Sequence, residues 1–303
     1  MTRRYLVALT LTALVLAACD SGTDGGKAVQ SAAGSPAASS AQPWLSGVVH
    51  VGAKNGQPGF NETSKDGHKF DGFENDLATY LGRSLKFDPL LEDITTTQRE
   101  PRLVSGADRL VIATYSMEDE RRKRVDFVGP YLMTRTGVLI REDDRKLIRT
   151  SPQLKKRKVC TVKGSTSEVK VDGKGNPDAK MAAQLNEKAT YLPPEEDYKA
   201  CVNLLIGKNA DAVWTDQAIL YGFANKYKDL RVIKGIVALS PQYYGIGIAK
   251  GHYNDCIRLK EALKDYLMST WSNNFATHFH NVQEVKEYKP EITDVDEHTQ
   301  CTK

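Results

Sequence analysis

Residues 110–121 read Leu110-Val111-Ile112-Ala113-Thr114-Tyr115-Ser116-Met117-Glu118-Asp119-Glu120-Arg121. The first four are apolar and bounded by polar residues, which predicts a compact buried strand. Two hydroxyls, Thr114 and Ser116, follow where that strand ends. The segment from Glu118 to Arg124 suits a short helix, and Arg121 on it faces back toward the strand end. A strand, a polar turn and a helix make the repeating unit of an α/β protein. The unit recurs twice. Val159-Cys160-Thr161-Val162 is strand-like, and Gly164-Ser165-Thr166-Ser167 is placed to open a helix. Ala212-Val213-Trp214 is a strand that ends at Asp216, with a helix expected from Gln217 to Tyr227.

The flanking chain keeps this alternation. Val48 to Val51 reads as a first strand, and Asn55-Gly56-Gln57-Pro58-Gly59 as a turn-rich loop. Phe73, Leu77, Tyr80 and Leu81 lie at helical spacing, with Gly82 placed to end the helix. Ser84 to Leu90 alternates as a strand. Pro101 to Ser105 suits a short helix stopped by Gly106, and Asp197 to Ile206 another, stopped by Gly207. Tyr244 to Ala249 is a strand. Leu259, Leu263, Tyr266 and Leu267 share a helix face, and Trp271, Phe275 and Phe279 stand four apart on the next helix. Both sets are expected to be core. The tail after Asn281 is polar, with weak periodicity.

The whole chain has 303 residues, 40% hydrophobic and 26% charged, which excludes wholesale disorder and fibrous repeats. A net charge of +4 predicts no nucleic-acid partner. Residues 1–18 carry Arg3 and Arg4 ahead of an apolar run, Leu6 to Leu16. That run is too short to span a bilayer and suits a signal peptide. Leu16-Ala17-Ala18-Cys19 resembles the lipobox of bacterial lipoproteins, which implies cleavage before Cys19 and a lipid on its thiol. Losing Arg3 and Arg4 lowers the net charge by two. Residues 19–43 are rich in Gly, Ser and Ala and read as a tether from the lipidated Cys19. The chain has five cysteines, and Cys160, Cys201, Cys256 and Cys301 remain for the exported body. Four cysteines in an oxidising compartment allow three pairings.

The three strand ends suggest one chemistry. Arg121 offers a planar fork for a carboxylate, and the helix start expected at Gly164 to Ser167 offers free backbone N–H groups and a positive dipole end. Asp216 offers a carboxylate for an ammonium group. A carboxylate and an ammonium together define an α-amino acid. Each residue also has a plainer role: Asp216 and Thr166 as helix caps, Arg121 as a surface ion pair. No phosphate-binding glycine loop, nucleophile elbow or Cys-x-x-Cys pair occurs, so neither an enzyme nor a cofactor or metal is expected.

Gly72-Phe73-Glu74-Asn75-Asp76-Leu77-Ala78, Arg99 to Gly106, Val111 to Ser116, Glu120-Arg121, Val125 to Tyr131, Gly164-Ser165-Thr166, Asp211 to Asp216 and Tyr244 to Gly247 together resemble family-three extracellular solute-binding proteins. These are the polar amino-acid receptors of bacterial ABC importers, and the likeness is greatest to their Gram-positive glutamate-binding branch. The resemblance implies a two-lobed periplasmic-binding-protein-like fold with a two-strand hinge and a central ligand cleft. One lobe would be residues 44–138 plus 241–303, the other 139–240. It implies Arg121 for the α-carboxylate, Thr114, Ser116 and Thr166 around it, and Asp216 for the ammonium. Tyr115 falls inside the same motif. Lys54, Gln57 and Arg99 are placed to read the ligand's side chain. A disulfide between Cys160 and Cys201 is implied, and with it one between Cys256 and Cys301.

The expected protein is therefore a monomeric lipoprotein on the outer face of the cell membrane, anchored through Cys19. Its partners would be an amino acid and the permease subunits of an ABC importer. Glu118 stands where the family usually has Thr and can compete for Arg121. Gly56 stands where the branch often has Asp. These departures support an alternative, a degenerate member acting as a sensor or partner-binding module.

Overall fold

The computed structural model describes residues 43–64, 69–236 and 240–303. The expected signal peptide, Cys19 and all but the last residue of the tether lie outside them. Among the described residues no helix is long and apolar enough to cross a membrane.

The chain first builds β1 (Gly47–Ala53), β2 (Glu62–Thr63), β3 (Phe70–Asp71), α1 (Phe73–Leu85), β4 (Phe87–Asp93), α2 (Arg99–Ser105), β5 (Leu110–Val111), α3 (Asp119–Arg122) and β6 (Asp126–Thr134). It then forms β7 (Thr136–Arg141), β8 (Lys158–Cys160), α4 (Ala179–Leu185), β9 (Thr190–Tyr191), α5 (Tyr198–Ile206), β10 (Ala212–Asp216), α6 (Gln217–Lys226) and β11 (Leu230–Ile233). It closes with β12 (Gln242–Ile248), α7 (Tyr253–Ser269), α8 (Trp271–His278) and α9 (Ile292–His298).

Two five-stranded sheets result, in the orders β4-β1-β5-β12-β6 and β11-β7-β10-β8-β9. β1 runs parallel to β4 and β5, and β12 runs antiparallel to β5 and β6. In the second sheet β10 is parallel to β8 and antiparallel to β7. The chain passes from the first sheet to the second between β6 and β7, and returns between β11 and β12. Every residue of β10 is buried, as expected of a strand covered on both faces. β1 exposes Val48 and buries Val49 and Val51, so its first half alternates.

The helices pack as their apolar spacing predicts. Leu259, Leu263, Tyr266 and Leu267 of α7 are buried. Trp271, Phe275 and Phe279 stack in sequence, with ring centroids 4.7 and 4.8 Å apart. Disulfides join Cys160 of β8 to Cys201 of α5, and Cys256 of α7 to Cys301 in the tail.

Three expectations need correction. Gly82 does not end α1, which runs on to Leu85 and stops at Lys86 in the left-handed region, φ 63°. Gly82 instead allows close packing, since a Cβ there would stand 2.7 Å from the Phe87 carbonyl oxygen. Gly164 to Ser167 open no helix. Gly164 has φ +69°, its N–H donates to Glu168 Oε2 at 2.9 Å, and the Ser165 hydroxyl turns back to the Val162 carbonyl. The strand expected from Ser84 starts later, at Phe87, because Ser84 and Leu85 complete α1; in the polar tail α9 buries Val295, and Gln300 pairs with Phe127 beyond it.

Candidate functional site

The site is assembled from the ends of β5 and β10 and the turn after β8. Past β5, Thr114 adopts φ 43°, a conformation that a β-branched residue rarely takes. A buried carboxylate holds it there. Glu74, at the start of α1, accepts the Thr114 N–H at 2.6 Å, the Tyr131 hydroxyl at 2.5 Å and the Asn61 amide at 2.7 Å. Burial pushes the Glu74 carboxyl up to about 7, and these three donors oppose that shift. The Thr114 hydroxyl donates to Gln57 Oε1 at 3.1 Å. The strained residue is thus fixed from both its backbone and its side chain.

Arg121 projects from α3. It donates to the Ser116 carbonyl at 2.9 Å and, across to the second sheet's side, to the Gly164 carbonyl at 3.0 Å. The carboxylate near it is Glu100, with Nε–Oε1 at 3.5 Å, and not Glu118, which is exposed. The expected competition from Glu118 is therefore not seen. Arg99 is 3% exposed and gives its N–H groups to the carbonyls of Thr96, Ala113, Thr114 and Gly164. It is committed to backbone and ties the two cleft walls together. Burial and the Arg121 charge pull the Arg99 guanidinium down to about 10. The Tyr115 ring lies against both guanidinium groups, 4.6 Å from Arg99 and 5.4 Å from Arg121.

Asp216 ends β10 and precedes α6, the position of a helix cap, yet its side chain caps nothing. The Thr134 hydroxyl takes that role, accepting the Ala218 N–H at 3.1 Å. Asp216 Oδ2 accepts the Tyr244 hydroxyl at 2.6 Å, and Oδ1 is buried without a partner. Burial pushes its carboxyl up to about 6, with the Tyr244 hydrogen bond and the Arg121 charge opposing. A carboxylate so placed has a lone pair free for a donor from the cavity.

Thr96, Arg99, Thr114, Ser116, Arg121, Ser165, Thr166, Tyr198, Asp216 and Ile219 line one small cavity of about 10 Å³. Six of the residues singled out from sequence are among them. Gln57, Lys54 and Tyr115 stand one layer behind. Lys54 reaches Thr96 Oγ1 and sits 5.0 Å from the Tyr198 ring centroid. Thr96, Ser165, Tyr198 and Ile219 were missed. Ser165 adjoins Thr166 and was within reach of the motif; the other three come from chain segments with no local signal. A larger groove of about 690 Å³ lies beside the C-terminal segment, between Arg122, Tyr243 and His298, and holds none of the expected residues. Among the described residues no His, Cys, Asp and Glu cluster could hold a metal.

The sequence pattern of bacterial extracellular solute-binding proteins, family 3, matches residues 49–282. The chain belongs to that family. It is 34% identical to the glutamate-binding protein GluB of Corynebacterium glutamicum over 230 residues, which cover 72% of this chain and 73% of the relative. It is 30% identical to a glutamine-binding protein of Geobacillus stearothermophilus, over 84% of this chain and 94% of the relative. An ancestral arginine-binding protein solved with glutamine superposes with a TM-score of 0.64 at 24% identity, over 77% of this chain and 97% of that one. The two sheets and the two passages between them are thus the family's two-lobed fold, with its hinge strands and central cleft.

Proposed function

We propose that this protein is an exported receptor, lipid-anchored through Cys19 on the outer face of the cell membrane. It captures a polar or acidic amino acid, glutamate-like, and presents it to an ABC permease. It acts as a monomer, without covalent chemistry. The lobes are residues 44–138 plus 241–303 and residues 139–240, and they close on the ligand by rotation at the hinge.

One observation carries the reading. Asp216, freed from capping by Thr134, carries a buried oxygen without a partner and lines the same cavity as Arg121. In this reading Arg121 takes the α-carboxylate, aided by Ser116, Thr114 and Thr166. Asp216 takes the ammonium. Gln57, Lys54 and Arg99 surround the side chain, with Tyr115 bracing the guanidinium groups. Entry needs the walls to part, because the cavity of about 10 Å³ holds little more than one water. Arg121 then exchanges the Gly164 carbonyl for a charged acceptor, a stronger partner.

The alternative, a sensor or partner-binding module without an amino-acid ligand, draws on the bonds from Arg99 and Arg121 to Gly164, which already join the walls. Thermal unfolding of residues 44–303 against the twenty amino acids separates the two. A ligand at 100 times its dissociation constant adds about 2.7 kcal/mol, several degrees in Tm. A flat response to all twenty would favour the module.

A further inference from the structure

Arg121 stands on a helix with little hold of its own. α3 is a single turn of four residues, buries none of them and has no side-chain cap. A helix that short is not stable by itself, so its place is set by what it is tied to. Arg122, next along, supplies two ties. Its Nε donates to the Met117 carbonyl at 3.1 Å and its Nη1 to the His298 carbonyl at 2.9 Å. The Gln300 side-chain amide donates back to the Arg122 carbonyl at 3.4 Å. Ahead of α3, the Met117 N–H donates to the Tyr243 carbonyl at 2.9 Å, and the Tyr243 ring lies 4.4 Å from the His298 ring. The groove of about 690 Å³ opens between α3 and residues 297–300, and these polar ties bridge it.

The far end of those ties is itself anchored to the first sheet. Gln300 pairs its backbone with Phe127 on β6, the edge strand. The Thr299 hydroxyl accepts the Gly129 N–H and donates to the Gly129 carbonyl, each at 3.2 Å. Thr302 gives Asp126 Oδ2 both its N–H, at 2.7 Å, and its hydroxyl, at 2.8 Å. Chain ends fray unless tied down, and the Cys256–Cys301 disulfide ties this one to α7. The stretch matched by the family pattern ends at residue 282, so this segment lies outside it.

We propose that the C-terminal segment, residues 292–302, positions Arg121 for ligand capture and acts through Arg122. The inference rests on the amino-acid reading above and adds a distant part of the chain to its site. In that reading Arg121 gives up the Gly164 carbonyl when a ligand enters, and with it a bond to the second sheet's side. Its aim then depends on where α3 sits on the first sheet's side, and the segment sets that place. A guanidinium fork on a carboxylate is directional and tolerates an error of about 0.5 Å. Arg122 touches no ligand in this account. It is a positioning residue, turned toward the segment while its neighbour lines the cavity.

The test is titration calorimetry of the purified protein with L-glutamate. Arg122→Ala should weaken binding about tenfold, the effect of misaligning one charge-assisted hydrogen bond. In an Arg121→Ala background the same change should alter binding less than about twofold, because the residue being aimed is gone. A purely structural role would give the same loss in both backgrounds. Cys256→Ser combined with Cys301→Ser leaves α3 untouched. It should weaken binding about threefold or more and speed amide hydrogen exchange at residues 119–124 of the unliganded protein. Equal losses in the two backgrounds would overturn the inference and leave amino-acid capture standing. So would Arg122→Ala binding within about twofold of wild type, or a double serine variant with unchanged affinity and exchange. If the serine variant does not fold, the two-background comparison decides alone. Wild-type protein that binds no L-glutamate would remove the glutamate reading, and the inference with it.

Discussion

Gly222 sits inside α6, on the second sheet's side of the cleft, against the loop that follows β1 on the first. A Cβ placed there would stand 1.8 Å from the Pro58 carbonyl oxygen and 2.8 Å from its carbon. Both are backbone atoms and cannot rotate away. Gly222→Ala must therefore push the walls apart until that distance relaxes from 1.8 Å toward the ordinary 3.4 Å or more. Overpacking of this kind costs about 1–3 kcal/mol, and here the cost falls on the closed arrangement alone. A ligand that binds by closing the cleft should then bind about 5- to 150-fold more weakly. The helix itself gains, because alanine is favoured over glycine in a helix interior by about 1 kcal/mol. The unliganded variant should melt at or slightly above the wild-type temperature. Calorimetry and thermal unfolding on the same preparation read both effects. Affinity within twofold of wild type would refute the reasoning, since the close approach would then be no part of the liganded form. A melting temperature lowered by about 10 °C would refute it too, because the approach would then belong to permanent packing.

Three further outcomes are expected. Arg121→Ala should weaken amino-acid binding by about 2–5 kcal/mol in calorimetry, with a loss below about 0.5 kcal/mol reducing Arg121 to a surface pair. Replacing Cys160 and Cys201 by Ser opens a link across 41 residues and should lower unfolding stability by about 4 kcal/mol in urea titration, whereas no change would mean that the link does not form. Glu74 is held near 7 in the folded protein against an ordinary 4.5, so between those values the folded state binds more protons than the unfolded chain. Its contribution is greatest below pH 4.5 and is lost as pH rises through 7. It should amount to about 2 kcal/mol between pH 5 and pH 7.5, and urea midpoints for Glu74→Gln should show a flatter pH dependence than wild type. Equal slopes for the two proteins would contradict the assignment.

What the sequence revealed depended on how local the cause was. α7 was legible because Leu259, Leu263, Tyr266 and Leu267 repeat at helical spacing and all four are buried. Asp216 was ambiguous for a physical reason: an acid before a helix suits a cap and a ligand partner equally. The decision lay in Thr134, 84 residues from Ala218, whose N–H its hydroxyl caps instead. Thr96, Tyr198 and Ile219 join the cavity only because two separately formed sheets approach each other. No spacing within one segment encodes that approach. Gly82 misled because glycine serves two needs, a left-handed stop and a close approach, and here it serves the second. Gly164 misled because its turn is closed by the side chain of Glu168 and the hydroxyl of Ser165 rather than continued into a helix.

The central claim is that Arg121 and Asp216 grip the two ends of an α-amino acid. The most direct measurement is calorimetric competition between L-glutamate and two truncated relatives, glutarate without the amine and 4-aminobutyrate without the α-carboxylate. Taking away either charged group removes the charged partner of Arg121 or of Asp216, at a cost of about 2–5 kcal/mol. Each relative should therefore bind at least about 30-fold more weakly than glutamate. Either relative binding as tightly as glutamate would contradict the account.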